Sequence, residues 1–315
     1  MSDFDEQPSL GDRTDDEIAD FLEILGDYGG AQELRDAGVR PQGLARLLGK
    51  PWIHTAHVFG FIDGAKADEA RVPIVPASEA ECDPSLIGSQ IKVTLDAFQI
   101  AEYPGSGQHT VLFDFKGRDQ AGDEAQDLQY ASVLTINDHD RAAVNGVPIF
   151  TGLTVPPDGL SFKAKTILVA SKGDQALIDA LQSAVFQDGL KLMGKLQPAL
   201  PQLVSLVGGI TQNLLKRRKN EQIQIFDLGL DFSGSRTSAR LRRGSYVVVQ
   251  VPGASMWRWD SWSFDQHTMS VVDANGEPAP YNTIVFGVTH SGSSETRSAV
   301  REEGRVALEA ASPAT

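Results

Sequence analysis

The chain has 315 residues, 41% of them hydrophobic and 22% charged, a globular composition that excludes a fibrous or wholly disordered protein. Its formal net charge of -14 argues against nucleic-acid binding by the surface as a whole, because duplex binding rests on Lys and Arg displacing counterions. The single cysteine, Cys82, rules out an intramolecular disulfide, and MSDFDEQ lacks the basic and apolar stretches of a secretory leader, so cytoplasmic residence is expected.

Residues 1–13 are rich in Asp, Glu, Ser, Gly and Pro and read as a disordered acidic tail. A small helical unit is expected over 14–50. It opens on T-D-D-E, where Thr14 can cap a helix and Glu17 can return a hydrogen bond. Ile18, Phe21, Leu22 and Leu25 follow at helical spacing, and Gly29-Gly30 is expected to end that helix. Leu34, Leu44, Leu47 and Leu48 suggest two further short helices.

After Pro51 the texture changes to β-branched and aromatic runs bounded by Gly, Pro and Asp. Strands are expected over 52–61, 90–100, 110–115, 129–136, 147–154, 160–169, 222–232, 245–251, 257–264 and 283–288. In I-K-V-T-L-D-A-F, Ile91, Val93, Leu95 and Ala97 alternate with Lys92, Thr94 and Asp96, which predicts one buried and one wet face. Many short strands with turns between them predict a mainly β protein, an antiparallel β-sandwich over 51–290.

Within it, 173–219 switches to helical periodicity and reads as an inserted helical hairpin. Asp174 caps a first helix carrying Leu177, Leu181 and Val185, and Pro201 opens a second carrying Leu203, Val207, Ile210 and Leu214. From 291 to 315 little is apolar, and a flexible tail is expected.

Four groups of residues are candidates for function. Leu196 to Leu215 carries no charge and is bordered by Lys191 and Lys195 and by Lys216, Arg217, Arg218 and Lys219, as in a helix that meets a membrane interface. Its internal Gln, Pro and Gly residues argue against a transmembrane segment and favour a hairpin packed on the sandwich. A second basic group, Arg236, Arg240, Arg242 and Arg243, would join the first in an anion site for lipid headgroups or an acidic partner if the two converge; the plainer alternative is a solvated rim.

Asp114, Asp119, Asp123, Glu124 and Asp127 cluster between predicted strands. Through this texture the chain loosely resembles the calcium-dependent lipid-binding (C2-like) sandwiches, whose acidic loops hold the cation; ordinary solvated turns, where Asp is common, are the favoured reading, and no metal or other cofactor is called for. Trp257, Trp259 and Trp262 are candidates for aromatic contact with a partner or a sugar ring, or for core.

His54 and His57, three apart in a predicted strand, point to opposite faces rather than to a shared metal. No Walker, G-x-G-x-x-G, H-E-x-x-H or G-x-S-x-G pattern occurs. The reading is a non-enzymatic binding or effector module. It would act at a protein partner or, peripherally, at an anionic membrane surface, through the hairpin and its basic borders. The alternatives are a hydrolase using loop carboxylates with His139 or His267, and a glycan-binding sandwich.

Overall fold

The computed structural model describes residues 7–37, 49–66, 69–121, 124–170, 178–179, 181, 189–191, 200–233 and 238–291. Its elements in chain order are α1 (Asp15–Leu25), α2 (Tyr28–Ala37), β1 (Ala56–Asp63), β2 (Arg71–Pro73), β3 (Val75–Pro76), β4 (Gln90–Ile100), β5 (Gln108–Ala121), β6 (Glu124–Asn137), β7 (Asp140–Arg141) and β8 (Val147–Thr154). Then come β9 (Leu160–Val169), β10 (Leu190–Lys191), α3 (Leu200–Leu215), β11 (Asn220–Asp231), β12 (Ala239–Arg240), β13 (Gly244–Val251), β14 (Ser263–Asp265), β15 (Ser270–Val272) and β16 (Thr283–His290).

The strands build the expected β-sandwich. A large sheet in the order β10-β8-β4-β16-β13-β1-β3, with β7 on β4, faces a five-stranded sheet in the order β12-β11-β9-β5-β6. Every long pairing is antiparallel; the parallel pairs β10–β8 and β11–β12 are two residues long. Phenylalanines fill the interlayer. Phe98, Phe150 and Phe286 from the large sheet meet Phe113 and Phe115 from β5, with Phe115 and Phe286 centred 5.1 Å apart. Truncating such a ring to Ala typically costs about 3–5 kcal/mol.

The large sheet is covered on both faces, which is why β13 and β16 do not alternate in burial. Tyr246 and Val248 face the interlayer, whereas Val247 and Val249 pack beneath a third, three-stranded sheet of β2, β14 and β15. In β4 the expected single buried face fails at one point. Ile91, Val93 and Leu95 join the interlayer, but a β-bulge opposite Val285 and Phe286 inserts Asp96, so Ala97 turns to the opposite core.

Outside the five-stranded sheet lies α3, the second helix expected in the hairpin; the first falls almost wholly outside the described residues. Val207, Ile210, Thr211 and Leu214 are buried beneath α3. There Asp114 accepts hydrogen bonds from Gln129 Nε2 at 2.9 Å on each oxygen and from Thr211 Oγ1 at 2.9 Å. Lys165, itself 3% exposed, sits across the ladder from Asp114, and its charge opposes the rise that burial imposes on that carboxyl.

Two expectations at the N-terminus are corrected. Residues 9–12, expected in a tail, form a 3-10 turn whose Leu10 is fully buried in the main core, and Arg13 bonds Glu221 at 2.7 Å. The capping box of Thr14 and Glu17 is present, but α1 ends at Gly26 in the left-handed region, and Gly29-Gly30 lies inside α2. Residues 38–48 and 292–315 lie outside the described residues, and with them the third N-terminal helix and the C-terminal tail.

Candidate functional site

The bulge that reverses β4 also aims a carboxylate. Thr94, Gly287 and Ser245 stand in one row across β4, β16 and β13, and Asp96 folds over that row. Thr94 Oγ1 donates to Asp96 Oδ1 at 2.6 Å and Ser245 Oγ donates to Oδ2 at 3.1 Å. Position 287 must lack a side chain: a Cβ there would lie 2.4 Å from Thr94 Oγ1 and 2.6 Å from Asp96 Oδ2. Burial pushes the Asp96 carboxyl above its ordinary range, against the two hydroxyls and the charge of Lys92.

These residues floor a cleft of about 800 Å³ on the outer face of the large sheet, rimmed by Asp63, Glu81, Cys82, Asp83, Arg242, Arg243 and His290. The rim is pre-assembled. Arg242 reaches Asp63 at 3.3 Å and Glu81 at 3.5 Å, and Arg243 reaches Asp83 at 3.3 Å. Buried Tyr246 fixes the segment that carries both arginines: its hydroxyl donates to Arg240 O at 2.6 Å and accepts from Arg242 N at 2.9 Å. Asp83 N bonds Leu241 O at 2.8 Å, and Arg240 N bonds Ala77 O at 2.9 Å, which ties the two rim segments together. A perturbed carboxyl inside a polar cleft is a recognised mark of a functional site.

The anion site expected from two merged basic groups is not assembled. Lys216, Arg217, Arg218 and Lys219 are exposed just before β11 begins, whereas Arg240 pairs beside Asp231 at its other end, so roughly 35 Å of strand separates them. Arg240 donates to Ser78 O at 3.4 Å, and Arg242 and Arg243 are paired to carboxylates as above. Arg236 lies outside the described residues.

The acidic loop is not a loop either. Asp114 is buried in mid-strand under α3, Asp119 is 8% exposed and accepts Thr154 N at 3.0 Å, and Asp123 lies outside the described residues. No group of three or more His, Cys, Asp or Glu suited to a metal is found among the described residues.

The tryptophan run is two 3-10 turns followed by β14, not a strand. Trp259 is buried against Gly60, and Trp257 and Trp262, half-buried, stack on each other 4.9 Å apart at 5°. Their faces are therefore partly occupied by one another. His54 follows a 3-10 turn rather than lying in a strand, and His57 is in β1. Burial lowers both pKa values to about 4, so both are neutral near pH 7. His139, at φ 57, and His267 sit in exposed turns away from the cleft. No described helix is long and apolar enough to cross a membrane.

Sequence reasoning missed Thr94, Asp96, Ser245 and Gly287. The only local signal was an Asp two residues after a Thr inside an apolar strand. No protein-family model, curated protein or solved structure matches this chain.

Proposed function

We propose that this protein is a non-enzymatic binding module whose ligand sits in the cleft floored by Asp96. The observation that carries the reading is the sunken carboxylate: a β-bulge, a mandatory glycine and two hydroxyls hold it open to the cleft, inside a rim locked by ion pairs. Bulges that re-aim one side chain recur beside functional sites, and such a preformed polar hollow binds at low ordering cost. A fragment screen read by backbone amide NMR tests it. Shifts confined to residues 94–96, 244–245 and 287–290 are expected; fragments that shift only other surfaces would refute the placement.

A second reading keeps contact with an acidic protein or an anionic membrane at the turn Lys216–Lys219. Its support is four consecutive exposed cations on a chain of net charge -14. The apolar side of α3 has no part in it, since Val207, Ile210 and Leu214 are buried on the sheet. Sedimentation with phosphatidylserine liposomes at low salt tests this reading, which falls if the protein stays in solution.

A further inference from the structure

We propose that the cleft binds an alkylammonium group, held between the Asp96 carboxylate and the hydroxyl oxygens of Thr94 and Ser245. The inference rests on the cleft being the binding element and adds the chemical class of its ligand. Charge decides the class. Four carboxylates, Asp63, Glu81, Asp83 and Asp96, face two guanidiniums, Arg242 and Arg243, and the charge of Lys92 also acts on Asp96, so one negative charge is left over.

The arginines are already committed to the rim: Arg243 to Asp83, and Arg242 to Asp63 and Glu81 together. Among the described residues no Lys, Arg or His nitrogen lies within 4.0 Å of Asp96, whose hydrogen-bond partners are the two hydroxyls. Thr94 Oγ1 and Ser245 Oγ each donate their proton to that carboxylate and so keep lone pairs with which to accept a hydrogen bond. The floor thus offers acceptors to an incoming group with several N–H donors and a positive charge, which is an ammonium.

The rim repeats the preference more weakly. Arg242 is divided between two carboxylates, one of which, Glu81, has an 89% exposed side chain. A second cationic group on the same ligand would find that carboxylate under-neutralised. Two sources share this chemistry, a free polyamine and a lysine side chain presented by a partner.

The test titrates the full chain by calorimetry and amide NMR with spermidine, with Nα-acetyl-lysine methylamide, and with neutral 1-butanol and inorganic phosphate. The expected result is that at least one amine binds with shifts at residues 94–96, 245 and 287, and that Asp96→Asn weakens it at least tenfold, the usual scale for a hydrogen bond to a charged group. Stronger binding of spermidine names the free polyamine as the source; stronger binding of the lysine derivative names a protein side chain.

Asn preserves the shape and removes a carboxylate that burial disfavours, so a folded variant is expected. Wild-type protein gives a second reading, since amine affinity must fall as pH is lowered and Asp96 is protonated. Amine binding unchanged by Asp96→Asn, or independent of pH, overturns the proposal. Phosphate or butanol shifting those residues while the amines do not overturns the ligand class and leaves the cleft as a binding site; no shift there with any probe removes both.

Discussion

Thr211→Val probes how α3 is held on the outer sheet. The substitution keeps the β-branched shape and the helix propensity but deletes the hydroxyl that donates to Asp114 Oδ2 at 2.9 Å. Both partners are buried, and one is a carboxylate sharing its site with Lys165. A hydrogen bond to a charged group is worth about 1.5–3 kcal/mol, so a loss near 2 kcal/mol is expected.

If the loss is local to α3, amide exchange over residues 205–215 accelerates roughly thirtyfold, since each 1.4 kcal/mol is a factor of ten. Urea unfolding followed by circular dichroism measures the first quantity and hydrogen exchange the second. Were apolar contacts through Val207, Ile210 and Leu214 sufficient, valine would be neutral or stabilising. That outcome, with unchanged exchange, would refute the argument.

Stability should fall as pH drops from about 6.5 to about 4. His54 and His57 resist protonation when folded but accept it when unfolded, so their contribution is complete above the unfolded value and is lost on acidification, by up to ~3 kcal/mol each. Urea midpoints across that range for wild type and His57→Gln check this, and an equally steep loss in the variant contradicts it. Gly60→Ala places a Cβ 2.5 Å from Ile74 Cγ2 and 2.7 Å from the Trp259 ring, and overpacking of this kind costs about 1–3 kcal/mol. Thermal melts and tryptophan emission should both shift; an unperturbed spectrum would show that the ring moves aside without strain. Reversing Lys216, Arg217, Arg218 and Lys219 to Glu should change the unfolding free energy by no more than about 0.5 kcal/mol per site, as for exposed positions, while abolishing any liposome binding.

The scaffold was legible where one physical rule dominated. Strands Gln90–Ile100, Val147–Thr154 and Leu160–Val169 fall where β-branched runs end at Gly, Pro or Asp. Thr14 and Glu17 announced the start of α1. The tryptophan run misled because spacing alone does not separate a strand from consecutive 3-10 turns packed on a sheet. Leu10 was read as tail because local composition is silent on a distant core that can absorb a single side chain.

The cleft was illegible for a different reason. Thr94, Asp96, Ser245 and Gly287 come from three strands, and their meeting depends on register, including a bulge that alternation cannot reveal. Asp96 looked like one more wet position. Arg242 and Arg243 looked like an open basic patch because the carboxylates that pair with them, at positions 63, 81 and 83, are some 160 residues or more away in the chain.

The most direct measurement is the titration of the Asp96 carboxyl itself, followed by side-chain ¹³C NMR in the free protein and with saturating spermidine. Burial raises the Asp96 carboxyl above its ordinary value in spite of the charge of Lys92, and a bound ammonium must bring it down again. A free-state value in the ordinary range, or a raised one that the amine leaves unmoved, would contradict the account of the cleft.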